Sequence, residues 1–65
     1  MEEFLDKLCF IKVDNGGKPY YYTRAYVVSI TQTHITFLDR NKSDEPHTFR
    51  IVDIIEIKLS NKENE

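Results

Sequence analysis

The sequence predicts a small all-β domain of five short strands, and three observations carry that prediction. Short runs of β-branched and aromatic residues recur about every eight to twelve positions with turn residues between them, the pattern of a small sandwich or barrel. Asn15-Gly16 stands between two such runs and is the strongest hairpin signal in the chain, because a type I′ turn needs positive φ at both central positions. A length of 65 residues leaves room for one core and no second.

From the N-terminus, EEFLDKL places Phe4, Leu5 and Leu8 at helical spacing, so residues 1–7 are expected to form a short helix. A segment that short must dock on the rest to persist. LCFIKVD (8–14) is the first strand, with Cys9, Ile11 and Val13 inward and Leu8 and Phe10 outward unless the helix covers them. DNGGKP breaks the pattern, with Gly17 adding a bulge or lengthening the loop. A long second strand runs over residues 20–31, and TQTH turns the chain into HITFLD (34–39), where Ile35 and Phe37 face inward. RNKSDEP is a polar surface loop. HTFRIV (47–52) resumes the alternation with Phe49 and Ile51, and IIEIKL (54–59) ends it with Ile55, Ile57 and Leu59. Only Val52-Asp53 separates these last two runs, too little for an ordinary hairpin, which predicts a one-turn 3-10 bend. Residues 1–59 are thus expected to form a single barrel domain and residues 60–65, SNKENE, a disordered acidic tail.

This layout resembles the small barrels of SH3-like and Sm-like type. The likeness covers residues 8–59 and is clearest in FRIVDIIEI, where an apolar strand, a short turn with an acidic residue and an isoleucine-rich last strand succeed one another. The resemblance implies a five-stranded barrel. It carries over no RNA-binding residue: Sm-like sites use an Asp-x-apolar-x-Asn loop between the second and third strands, and ITQTHIT has neither Asp nor Asn there. The glycine usual in the bent second strand is replaced by Arg24-Ala25.

All four tyrosines fall within PYYYTRAYVVSI (19–30). By the two-residue period of a strand, Tyr20, Tyr22, Arg24, Tyr26, Val28 and Ile30 share one face. Val28 and Ile30, with Tyr26, are expected in the core, which would carry Arg24 inward too. An unpaired buried guanidinium is too costly to keep. Either a bulge near Thr23-Arg24 reverses the parity, or the first half of the strand overhangs the barrel and Tyr20, Tyr22 and Arg24 line an open rim.

In the second case Tyr20, Tyr22, Arg24 and Tyr26 form a platform, with Lys12 and Lys18 beside it across the first hairpin. Nucleic-acid bases stack on such rings at about 1–3 kcal/mol each, and arginine adds phosphate or cation–π contact. The ordinary account is that tyrosine favours strands and that cross-strand aromatic pairs stabilise exposed sheet faces. A protein-binding surface is the third account. Leu8 and Phe10, if uncovered, form a candidate subunit interface, and open sheet edges offer another.

Composition narrows the function classes. The formal net charge is −2, unlike the basic footprint of a dedicated phosphate-gripping protein. Glu2, Glu3 and Asp6 stand against Lys7 at the start and SNKENE is acidic at the end, leaving the part between about neutral to slightly positive. Cys9 is the only cysteine, so no intrachain disulfide forms. His34, His47 and Cys9 match no metal-ligand spacing. Asp39, Asp44, Glu45 and Asp53 fall in turns, where carboxylates serve local hydrogen bonding.

No phosphate loop, nucleophile motif or acid–base pair is present, and no cofactor or small-molecule substrate is expected. No apolar run reaches the roughly 18–20 residues of a membrane span, and MEEFLDK is acidic where a signal peptide is basic, so a cytoplasmic location is expected. A core this small supplies on the order of 3–5 kcal/mol, which makes an oligomeric interface a natural supplement. The expected function is a non-enzymatic binding module whose partner is a protein, itself included. The alternative is a nucleic-acid-binding barrel that uses the Tyr/Arg platform.

Overall fold

Asn15 and Lys18 face each other across the first hairpin, so its two central residues are Gly16 and Gly17, with φ of 66° and 88°. The turn lies one residue later than the Asn15-Gly16 pair predicted, and Asn15 closes the strand instead. Asp14 Oδ1 accepts the Gly17 N–H at 2.9 Å and fixes the tip. Both glycines have the left-handed φ that a two-residue hairpin of this twist requires.

The computed structural model describes residues 1–60. It contains strands β1 (Leu8–Asn15), β2 (Lys18–Ile30), β3 (His34–Asp39), β4 (Glu45–Arg50) and β5 (Ile54–Leu59), joined into one antiparallel sheet in the order β4-β3-β2-β1-β5. The architecture is all-β, and among the described residues helical structure is limited to single 3-10 turns at Glu2–Phe4, Arg40–Lys42 and Ile51–Asp53. The last of these is the predicted bend before the final strand. β4 and β5 occupy opposite edges of the sheet, so the fold is barrel-like but open.

The N-terminal segment departs from the expected helix over residues 1–7. Only Glu2–Phe4 forms a turn, and Asp6, with a left-handed φ of 61°, ends it. The chain then adds to the sheet: Asp6 N–H donates to Val27 O at 2.8 Å, and Val27 N–H donates to Lys7 O at 3.1 Å. Pairing with β2 satisfies these backbone groups better than a helix too short to nucleate. Phe4 still packs against the core, while Leu5 is exposed. At the other terminus, Ser60 N–H donates to Leu8 O at 2.9 Å, so pairing extends one residue beyond the predicted domain end. The rest of the expected tail, residues 61–65, lies outside the described residues.

The core comprises Cys9, Ile11 and Val13 from β1, Tyr22, Ala25 and Val27 from β2, and Ile35 and Phe37 from β3, with Phe4, Ile30, Phe49, Ile54 and Ile57 packed around them. In β1 and β3 the inward residues are those the alternation predicts. In β2 and β5 extra residues shift it. Cys9 pairs with Ala25 but Ile11 with Tyr22, so β2 has one more residue than β1 over this interval, at Thr23-Arg24. Val27 pairs with Phe37 but Ser29 with Thr36, which places a second extra residue at Val28. In β5, Lys12 pairs with Glu56 but Val13 with Ile54, leaving Ile55 unmatched. Each bulge reverses the facing of the residues beyond it.

Four side chains consequently lie elsewhere than simple alternation puts them. Val28 is not a core residue but exposed, Tyr26 is half-buried on the outer face, Ile54 takes the inward position opposite Val13, and Ile55, expected inward, is exposed at the bulge.

Phe37 is the largest fully buried side chain; Tyr22 meets it edge-on at 4.9 Å and Phe49 stacks on it at 5.9 Å. Phe37→Ala is expected to lose about 3–5 kcal/mol, the scale of the whole stability of a domain this size. Urea unfolding followed by circular dichroism should find the variant largely unfolded in water. A loss below about 1 kcal/mol would contradict its place at the centre of the packing.

Candidate functional site

The tyrosine stretch divides between the two faces of the sheet. The bulge at Thr23-Arg24 is the first of the two resolutions open to the sequence, and it leaves Arg24 exposed without an overhang. Tyr20, Tyr22, Arg24 and Tyr26 therefore do not share a face. Tyr22 is 6% exposed and turned inward, and Tyr20 accompanies it on the inner face at 42% exposure, their ring centroids 4.9 Å apart. Tyr22 also meets Phe37, the ring of His47 at 5.0 Å and Phe49 at 5.9 Å. It is part of the packing and not a surface on which a ligand could stack.

The outer face carries a different aromatic group, in which Lys12 and Phe10 are residues the sequence singles out and Tyr21 and Lys58 are not. Phe10 and Tyr21 lie 6.0 Å apart on adjacent strands. Lys12 Nζ stands 5.4 Å from the Tyr21 ring centre, and Lys58 Nζ 5.2 Å from that of Phe10. Tyr21 is 52% exposed, more open than Phe10 beside it. Arg24, at the bulge opposite Phe10, adds a further exposed cation. Lys18 is exposed beside the tip of the hairpin. Tyr26 belongs to the same face but is covered by Arg40, whose Cζ lies 4.6 Å from its ring centre and whose Nε pairs with Asp44 at 3.2 Å. Leu8, named with Phe10 as a candidate interface, is buried at 8% exposure, while Phe10 is half-buried. The signal for Tyr21 lay in the sequence: once Tyr22 faces the core, its neighbour faces out.

The edge strand β5 is the second feature. It borders only β1, and its apolar side chains are poorly covered: Ile55 is 53% exposed and Leu59 50%, with Val52 in the preceding turn at 82%. At the opposite edge β4 contains Pro46, a residue that edge strands accommodate because its missing N–H falls on the unpaired side. β5 has no such interruption.

Several titratable groups are engaged locally. Asp39, 4% exposed, accepts the Asn41 N–H at 2.9 Å and caps the turn at Arg40–Lys42. His47 Nε2 and Glu45 Oε1 are 3.1 Å apart, Arg50 pairs with Asp53 at 3.1 Å, and His34 Nδ1 meets Thr33 Oγ1 at 2.7 Å. The buried Cys9 thiol points at the carbonyl of Lys7, 3.6 Å away. Among the described residues no three His, Cys, Asp or Glu side chains are grouped to hold a metal ion, and no helix is long and apolar enough to cross a membrane. An open groove lies between the N-terminal turn and the β2–β3 loop, lined by Glu2, Glu3, Ile30, Gln32 and Ile51.

Comparison with known proteins gave no match, whether to a family model, a curated protein or a solved structure.

Burial of its ring pushes the Tyr22 phenol above its ordinary value, and the negative charges of Tyr20, Asp39 and Glu45 act in the same direction. Folding thus favours the protonated phenol. Its contribution to stability is intact below the unfolded value of about 10 and is lost as pH rises through the higher folded value. Thermal unfolding of the protein and of Tyr22→Phe across the alkaline range should show a shallower alkaline loss in the variant. Parallel curves would exclude this contribution.

Proposed function

We propose that the chain is a non-enzymatic binding module of the SH3-like or Sm-like small-barrel kind, working in the cytoplasm, which associates with other protein chains, including copies of itself, through the edge of β5. The supporting observation is that β5 combines unpaired backbone with exposed Ile55 and Leu59. An edge of that kind is a template for a further strand; β5 has no proline, and its one lysine, Lys58, is matched by Glu56 on the same strand. Strand addition takes its affinity from main-chain hydrogen bonds and its selectivity from alternate side chains. The small core gives the second support, since an interface would cover the apolar side chains that the open sheet leaves exposed. The strand order and the 3-10 turn between β4 and β5 support the barrel type.

Light scattering across a wide concentration range is the direct test. The mass should rise with concentration above that of the monomer, and Leu59→Pro, which removes an edge N–H, should hold it at the monomer value while circular dichroism stays unchanged. A chain that is monomeric at millimolar concentration would overturn the self-association reading.

The outer face supports a second reading, contact with single-stranded nucleic acid. Its carrying observation is the pairing of Tyr21 and Phe10 with Lys12 and Lys58. A labelled single-stranded RNA should bind at low salt and dissociate as salt rises, because phosphate contacts release counterions. Tyr21→Ala should weaken binding by about 1–3 kcal/mol, with the fold intact because this ring lies outside the core. Absence of binding at low salt would remove this reading and leave the first untouched.

A further inference from the structure

The pairing pattern of β5 determines which of its backbone groups are free. Ser60 N–H donates to Leu8 O, and Leu59 is opposite Cys9. Along an antiparallel strand, residues that hydrogen-bond to one neighbour alternate with residues directed the other way. Lys58 and Glu56 therefore share the direction of Ser60, toward β1. Ile57 and Leu59 direct their N–H and C=O groups outward at the edge, and Ile55 is the extra residue of the bulge that interrupts the alternation.

We infer that two copies of the chain join through β5 in an antiparallel pair centred on Ile57. In this arrangement Ile57 faces Ile57 of the second copy and Ile55 faces Leu59 of the second copy. Glu56 faces Lys58 of the second copy and Lys58 faces its Glu56. The inference rests on the self-association reading above and names its occupant and register.

Two properties of the strand select this register. The outward N–H and C=O of Ile57 meet those of Ile57 in the second copy, so the central backbone groups find partners. On the outer face the strand bears one acid and one base two residues apart, exposed and in contact within the chain at 3.8 Å. An antiparallel pair centred on Ile57 sets each charge against its opposite twice. Centring it on Glu56 would set glutamate against glutamate, and centring it on Lys58 lysine against lysine; like charges directly opposite are destabilising. A shift of one residue also turns the apolar set to the other face. The strand is therefore self-complementary in one register and penalised in its neighbours. β4 offers no equivalent, since Pro46 removes one of its donors.

Charge exchange at these two positions tests the inference on the whole chain. Sedimentation equilibrium would be run on the protein and on Glu56→Lys, Lys58→Glu and the double exchange, with circular dichroism confirming that each is folded. Each single change should weaken the dimer about tenfold or more, since it sets like charges opposite at two symmetric places. The double exchange should restore association to within about threefold, because opposite signs again meet across the pair. The Ile57 amide should also exchange more slowly as protein concentration rises. An associating chain indifferent to the single changes, or not restored by the double one, would overturn the β5 pairing while leaving self-association in place. A chain that stays monomeric overturns both.

Discussion

Arginine in the middle of a strand whose neighbours must be buried is the constraint on which the rest of this fold depends. Tyr22 on one side and Ala25 with Val27 on the other all belong to the core, and a regular strand cannot point Tyr22 and Ala25 inward, three residues apart, on one face. Inserting one residue at Thr23-Arg24 removes the conflict and leaves the guanidinium in solvent. The bulge also increases local twist, which is how a long strand bends far enough to serve both β1 and β3. Asn41 Nδ2 donates to Thr23 Oγ1 at 2.8 Å and ties the bulge to the turn after β3. The second extra residue, at Val28, then returns Ile30 to the core side.

The same event decides which rings are available at the surface. With Tyr22 turned inward, the inner face at this end becomes a closed group of aromatic rings, Tyr22, Phe37, His47 and Phe49, supplied by three strands. Edge-to-face and offset contacts of this kind contribute about 0.5–1.5 kcal/mol each beyond burial. A small core gains from them. The outer face receives Tyr21, and its lysines settle over aromatic rings instead of forming isolated charges. The inner packing and the outer surface thus take different tyrosines of one short run, and a one-residue insertion assigns them.

Much of the architecture was legible in the sequence because strands with a single buried face announce themselves. Cys9, Ile11 and Val13, and then Ile35 and Phe37, alternate cleanly, and each of the five is fully buried. The bend at Ile51–Asp53 was legible because two apolar runs stood too close for a hairpin. The illegible remainder has one physical source. A bulge is a property of two strands in register, and one strand read alone shows only that something must give. Arg24 exposed the conflict in β2, and the choice between bulge and overhang depended on pairing with β1. Val28 and Ile55 gave no such signal, because an aliphatic residue is acceptable on either face, and so the expected core was wrong at those positions. The N-terminal helix failed for a related reason: Phe4, Leu5 and Leu8 have helical spacing, but the free backbone groups of β2 at Val27 offered residues 6 and 7 better partners.

Lys58 connects the two proposed surfaces. Its ammonium lies over Phe10 on the outer face and also reaches Glu56 at 3.8 Å. In an antiparallel pair about Ile57 the two outer faces lie on the same side of the extended sheet, so Phe10, Tyr21, Lys12 and Lys58 of both copies form one surface. Transfer of Glu56 from its own Lys58 to that of the second copy leaves the charge count unchanged, and association by itself neither removes nor adds cations there. An anionic ligand on that surface would compete with Glu56 for the ammonium. Its affinity would then depend on the dimer through the doubled number of contacts and not through a new charge. The edge and the face are therefore separable in substitution, because Tyr21 lies outside the edge and Leu59 outside the aromatic group, and Lys58 is the residue at which a change in one must be read in the other.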